Sequence, residues 1–309
     1  MYRLVVADLD SPSYFVATAA VELGFFREEG IDAEVERAYG ALNGPERLHN
    51  GEVHFLGGPA YMATRAFPGW KGVKLLCALG QYSYWFLAVR ADLDVRRGDV
   101  DALKGLRISA STAFPEVGLR HLLKQAAIDL ERDKVSIVPL PNTKDEHLKY
   151  RVGVDALAQN IADAYWGNGM RLAIGEKLGV AKVHLDLRRG DGPPGARFYN
   201  FAALTTTERL IEEQPQIAAG AVRAVVKAQK ALAADPSRAA AIGERLFAPE
   251  AASLIAGLIA RDAPFYDATI SAEAVDGINK FAMANGLLSE PLPYDRLVAS
   301  QFRNLWKAS

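Results

Sequence analysis

The sequence predicts an α/β protein in two lobes, and three observations carry that reading. Tyr2–Ala7 is a short apolar run rich in β-branched residues, followed by a polar break, a helical repeat and a second strand-like run. The same order of strand, polar loop and helix recurs over residues 103–123. The chain has 309 residues, which is long for one hydrophobic core.

In the first unit, Tyr2–Ala7 reads as a buried strand. Ser11-Pro12-Ser13 breaks it. Val16, Ala19, Ala20, Leu23 and Phe26 recur at helical spacing, which predicts one helix running until Gly30 stops it. Residues 31–36 alternate as a strand. The loop between strand and helix leaves the carboxyl end of the strand, where open α/β sheets place ligands. Ser13 is the expected N-cap, and the helix start beyond it offers unpaired N–H groups.

Residues 44–51 predict a short helix with a glycine exit, and 53–56 a strand. Gly57-Gly58-Pro59 then reads as a tight turn into another helix, where backbone can approach a ligand closely. Val73–Leu79 and Trp85–Arg90 are strand-like and are joined by residues 80–84. Ser109, Ser111 and Thr112 end the strand of the second unit. Phe114 opens its helix, with Pro115 suited to a first turn and Glu116 to the positive helix end. The hydroxyls suit N-capping and ligand contact alike. Val135–Pro139 is a strand, Thr143–Glu146 a capping box, and Ile161–Trp166 a further strand before Gly167. Gly179–Leu185 is another strand, Arg188–Gly195 a loop, and helices start near Pro215, Pro249 and Ser271.

Composition narrows the function. The net charge is −1, so nothing draws the chain to nucleic acid or an anionic membrane. No apolar run is long enough to span a bilayer. The single cysteine, Cys77, excludes an internal disulfide and reads as a packed, inert thiol. The five histidines lack metal-ligand spacing, and there is no phosphate-cradling or nucleophile-elbow motif, so no cofactor or metal is expected.

Ser11-Pro-Ser-Tyr14, followed by Glu22-Leu-Gly-Phe-Phe-Arg-Glu-Glu-Gly-Ile-Asp32, resembles the first unit of substrate-binding proteins of ABC importers. The nearest group handles sulfonates, taurine, nitrate and thiamine-pyrimidine precursors. Leu103-Lys-Gly-Leu-Arg-Ile108 resembles the approach to that family's second lobe, and Phe198–Glu208 its return crossover. The resemblance implies a type II periplasmic-binding-protein fold with two crossovers and hinge closure on binding. Lobe one would be 1–90 plus 200–309, with the C-terminal helices packed on it, and lobe two 91–199. It implies a small organic solute (sulfonate, carboxylate or pyrimidine-like heterocycle) held in a cleft, and an ABC permease as partner. It also implies a periplasmic location. No secretory signal precedes Tyr2, so the plain reading of the sequence is cytoplasmic.

The residues expected at the ligand are Ser11, Ser13, Tyr14, Gly58, Pro59, Tyr82, Ser83, Ser109, Ser111, Thr112, Phe114, Trp166 and Tyr199. Tyrosine, serine and helix starts suit a flat apolar body with an anionic end. The alternative is a cytoplasmic enzyme on the same fold, acting on a small aromatic substrate. A sulfinate desulfinase of this fold carries a nucleophilic cysteine in the first loop, and the fungal thiamine-pyrimidine synthase a cysteine-rich motif. Here that loop carries Ser11 and Ser13, and no cysteine-rich motif exists.

Overall fold

Leu4, Val5 and Val6 are fully buried, so strand β1 (Tyr2–Val6) is covered on both faces. Each such side chain contributes about 1.5–3 kcal/mol by leaving water. The computed structural model describes residues 1–36, 43–111, 114–140 and 151–307, with the Phe114 side chain not included. The chain divides into two units, Met1–Tyr82 with Asn200–Ser309, and Ser83–Tyr199.

In the first unit, β1 is followed by helices α1 (Phe15–Glu22) and α2 (Phe25–Glu28), strand β2 (Ala33–Val35), helix α3 (Gly44–His49), and strands β3 (Phe55–Pro59) and β4 (Val73–Gly80). The expected single helix is divided at Gly24, whose φ of 84° lies in the left-handed region that glycine tolerates. β1 lies parallel to β2 and β3, pairing Tyr2 with Ala33 and Leu4 with Phe55. Gly57, Gly58 and Pro59 are strand residues rather than the expected turn. They pair with the returning strand, described below, and the segment after them, Ala60–Arg65, is a 3-10 helix. A Cβ on Gly57 would lie 3.1 Å from Val6 Cγ1 and 3.3 Å from the Ala17 Cβ, so its smallness lets α1 sit on the sheet.

The second unit begins before strand β5 (Phe86–Arg90) and continues with β6 (Arg107–Ala110), α4 (Phe114–Gln125), β7 (Ser136–Pro139), α5 (Val152–Ala158), β8 (Ala164–Gly167), α6 (Gly169–Lys177) and β9 (Ala181–Asp186). Its sheet runs β7-β6-β8-β5-β9, with β6, β7 and β8 parallel and β5 antiparallel to β8 and β9. The expected lobe boundary at residue 90 therefore falls earlier, after Tyr82, because β5 is bonded on both edges inside this second sheet. Arg107 fastens β6 to β8, its side chain donating to both Asp163 carboxylate oxygens, at 2.9 and 2.8 Å. The capping box expected at 143–146 lies outside the described residues.

The chain returns as β10 (Ala202–Thr207), which enters the first sheet antiparallel between β3 and β4 and completes the order β2-β1-β3-β10-β4. Helices α7 (Glu208–Glu213), α8 (Pro215–Ala234), α9 (Arg238–Leu246), α10 (Pro249–Asp262), α11 (Ala272–Ala284) and α12 (Tyr294–Leu297) follow. The C-terminal helices pack on the first unit as expected. α8 lies against α1, α2 and β4. Arg223 and Lys227 of α8 reach Glu29 at 2.6 and 2.9 Å, and Lys227 also reaches Glu28 at 2.9 Å. Ser271 caps α11, its hydroxyl accepting from the Ala274 N–H at 3.0 Å.

Two outcomes follow. Gly57→Val forces a branched side chain against Val6 and α1, and urea unfolding is expected to show a loss of about 1–3 kcal/mol. Cys77 is fully buried and pairs with Leu204, and burial pushes its thiol pKa up. The native protein is therefore expected to leave a thiol-reactive disulfide reagent unreacted until denaturant is added.

Candidate functional site

Register brings the expected residues of the first unit to one end of its sheet. Ala202 of β10 pairs with Pro59 at the end of β3 and with Gly80 at the end of β4, and Val6 at the end of β1 pairs with Gly57. The loop that leaves β1 is folded on itself. The Ser11 N–H donates to the Asp8 carbonyl and the Tyr14 N–H to the Ser11 carbonyl, both at 3.2 Å. The Ser11 and Ser13 hydroxyls are hydrogen-bonded to each other at 2.9 Å. Ser13 is not the cap of α1. Tyr14 occupies that position, and no side chain bonds the helix start.

Burial, and then the Asp8 carboxylate, push the Tyr14 phenol up, while a hydrogen bond with Ser13 opposes them. Burial, and then Tyr14, push the Tyr61 phenol up as well. Both phenols stay protonated at neutral pH. A Cβ on Gly58 would lie 3.2 Å from Met62 Sδ, so packing already demands a glycine there. Asn200 is buried, and its side-chain oxygen accepts from the Ala60 N–H at 3.0 Å just beyond Pro59. Sequence reading missed Asn200 because its partner lies 140 residues away. Tyr82 closes the unit with a φ of 68°, a backbone region that disfavours a bulky residue, and stands edge-on to Phe265 at 6.3 Å.

In the second unit, register again gathers one end. Ala110 at the end of β6 pairs with Trp166 and Pro139, and Phe86 at the start of β5 pairs with Gly167 and Asp186. Trp166 is fully buried, its ring is tilted on Trp85 at 5.4 Å, and its indole Nε1 has no hydrogen-bond partner among the described residues. Strand alternation turns the preceding Tyr165 to the opposite face, where it packs with Phe86, Ala88 and Leu172. Trp85 lies against α4 at Gly118, where a Cβ would come within 2.4 Å of its ring.

Ser109 is fully buried, and its hydroxyl donates to the Ala164 carbonyl at 3.2 Å, so it bonds inside the sheet. Ser111 is half-buried just past β6. Thr112 lies outside the described residues, as does the side chain of Phe114. Ser83 is fully buried, and its N–H donates to the Arg197 carbonyl at 2.8 Å. Tyr199 meets the His121 ring edge-on at 4.5 Å. Burial pushes the Tyr199 phenol up and the His121 imidazole down, the latter with a smaller push from Lys124, so both are neutral at pH 7.

A further feature was not legible in sequence. Arg188 is 3% exposed and pairs with Asp186 through two side-chain bonds, Nε to Oδ1 and Nη2 to Oδ2, both at 3.1 Å. Its guanidinium lies over the Tyr84 ring at 4.6 Å and the Phe86 ring at 4.9 Å. Arg188 and Arg189 are adjacent, and nothing local distinguishes the buried one from the surface one. Among the described residues, no group of histidine, cysteine and carboxylate side chains could hold a metal ion.

Comparisons give this arrangement a context. A family model described as NMT1/THI5 like matches residues 11–239. No curated protein sequence matches the chain. The fold is similar to a putative sulfonate ABC transporter periplasmic sulfonate-binding protein SsuA from Methylobacillus flagellatus, with a TM-score of 0.68 and 18% identity over 97% of this chain and 92% of that one. It is similar to the periplasmic nitrate-binding protein NrtA from Synechocystis, with a TM-score of 0.65 and 16% identity over 99% and 87%. It is also similar to a variant of DSZB in complex with biphenyl-2-sulfinic acid, with a TM-score of 0.67 and 18% identity over 98% and 97%. At these identities the likenesses are of fold.

The close fit of Trp85 against α4 has a measurable consequence. Gly118→Leu displaces the indole from its position between the helix and Trp166. Near-UV circular dichroism in the tryptophan region is expected to fall, with a stability loss of about 1–3 kcal/mol in urea. Unchanged spectra would show that the ring has another place to go.

Proposed function

Because the chain belongs to the NMT1/THI5-like family, we propose that it binds a small organic solute with groups at the carboxyl ends of its two sheets and delivers it to an ABC permease. The observation that carries this reading is the repeated construction of those ends. In each unit a parallel strand is followed by hydroxyl-bearing residues and then a helix: β1, Ser11 with Ser13, and α1 in the first; β6, Ser111, and α4 in the second. Ser11, Ser13 and Ser111 supply neutral hydroxyls, and Tyr14 and Tyr199 are held as neutral phenols. Such donors solvate an anion without introducing a buried charge that must itself be neutralised. Trp85, backed by the buried Trp166, and Tyr82 supply flat apolar surface. The solute class is therefore a sulfonate, a carboxylate or a pyrimidine-like heterocycle with a polar end. Gly58, Pro59, Ser83 and Thr112 complete the proposed ligand set, with Phe114 at the start of α4 and Ser109 as a support of the strand end. A periplasmic location belongs to this reading, and it is the compartment of the sulfonate- and nitrate-binding neighbours. Among the described residues, no helix is long and apolar enough to cross a membrane.

A second reading, an enzyme on the same fold, is favoured by the likeness to DSZB. Here the loop after β1 holds Ser11 and Ser13, and the one thiol, Cys77, is interior to β4. Native mass spectrometry of the purified protein identifies any co-purifying solute, and chromatography after incubation tells binding from turnover. Recovery of an altered molecule would favour the enzyme.

With an anionic sulfonate or carboxylate in hand, Ser111→Asp places a carboxylate beside the start of α4. Calorimetry is expected to show anion affinity falling by more than about tenfold, or ~1.4 kcal/mol, while the melting temperature holds. Unchanged affinity would remove the second unit's helix start from the anion site.

A further inference from the structure

The first unit carries a cavity far from the residues discussed so far. It lies at the opposite end of the sheet, beside His54 before β3, Val73 at the start of β4 and Thr207 at the end of β10. Its volume is about 310 Å³, at the small end of organic-ligand pockets. Leu48, Val53, Phe67 and Leu210 make an apolar floor, each less than a tenth exposed. The His49 ring stands edge-on to Phe67 at 5.2 Å.

Two cations, Lys71 and Arg209, line the same cavity. Neither makes a side-chain hydrogen bond or an ion pair among the described residues, although both lie next to acids in space or sequence. Those acids are engaged elsewhere. Glu208 pairs with Lys74 at 3.4 Å and Arg296 at 3.0 Å and accepts from the Gly72 N–H. Glu52 pairs with Arg47 at 3.3 Å. Arg209 instead runs over the turn at Gly51, its Nη2 only 3.3 Å from where a Cβ would stand. Among the described residues, the one carboxylate lining the cavity is Glu213, so two cations line it against one anion. Burial, and then the chain N-terminus and Arg3, pull the His54 pKa down, so that imidazole adds no positive charge at neutral pH.

From this pairing of an apolar floor with surplus positive charge, we propose that the cavity is a second ligand site, which takes a small monoanion with an apolar body, of the aromatic carboxylate class. The carboxylate lies between Lys71 and Arg209, and the ring lies on Phe67 and Leu210. The volume admits a single-ring acid. This site is independent of the solute site at the carboxyl ends of the strands, because it is built by the first unit alone and at the other end of its sheet.

Benzoate is the probe, and neutral benzamide, of nearly the same shape, is the control. Both are titrated into the full-length protein while backbone amide signals are followed by NMR. Benzoate is expected to shift the Gly51, Phe67 and Gly72 amides saturably, and benzamide to shift them far less. The double substitution Lys71→Gln with Arg209→Gln keeps both exposed positions polar and is expected to weaken benzoate at these amides by about five- to tenfold. The site is overturned if benzoate leaves these amides unmoved, if it moves only residues such as Ser11 and Ser111, if benzamide binds equally, or if the double variant binds as tightly as the wild type with its spectrum otherwise intact.

Discussion

The first sheet depends on a strand that arrives late in the chain. β10 is hydrogen-bonded on both edges, to β3 and to β4, so those two strands have no direct ladder between them. Every residue between Gly80 and Ala202 must leave and return before the sheet can close. The second unit is thus an excursion anchored at both ends in the first. The same ladder decides where chemistry can sit, because pairing Ala202 with Pro59 and Gly80 aligns three strand ends with the loop that leaves β1. Gly57 and Gly58 take part because their missing side chains let Val6, Ala17 and Met62 close over the strand.

Charge is distributed unevenly around this frame. The loop after β1 and the ring pairs of the second unit offer hydroxyls and phenols that burial keeps neutral. At the start of β5 a formal charge pair is buried, Asp186 with Arg188, whose guanidinium lies over the Tyr84 and Phe86 rings. A buried pair of this kind gives little net stability, yet removal of one partner would leave the other uncompensated at about 3–5 kcal/mol. The pair therefore acts as a rigid polar floor under the start of β5. Uncommitted cations lie at the other end of the first sheet, at Lys71 and Arg209.

Elements whose cause is local were legible without the fold. The apolar runs of β1, β6 and β8 announce buried strands, Pro215 and Ser271 mark helix starts, and the alternation of Tyr165 and Trp166 puts them on opposite faces. The two-unit α/β plan followed from repeated local patterns of that kind and from likeness to a family. Tertiary structure decided everything that depends on a distant partner. Ser109 looks like a ligand hydroxyl until the Ala164 carbonyl, 55 residues on, accepts its hydrogen bond. Gly57-Gly58-Pro59 looks like a turn until β10, more than a hundred residues later, pairs with it as a strand. Gly24 and Gly30 look alike in sequence, and only the fold shows that the first, at a φ of 84°, divides the helical stretch into two helices that both pack on α8. Propensity is a property of neighbours along the chain, whereas a hydrogen bond or an ion pair is a property of neighbours in space. That is why the chain alone determined the elements and their order, and only the fold determined which serines, glycines and arginines hold the sheets together.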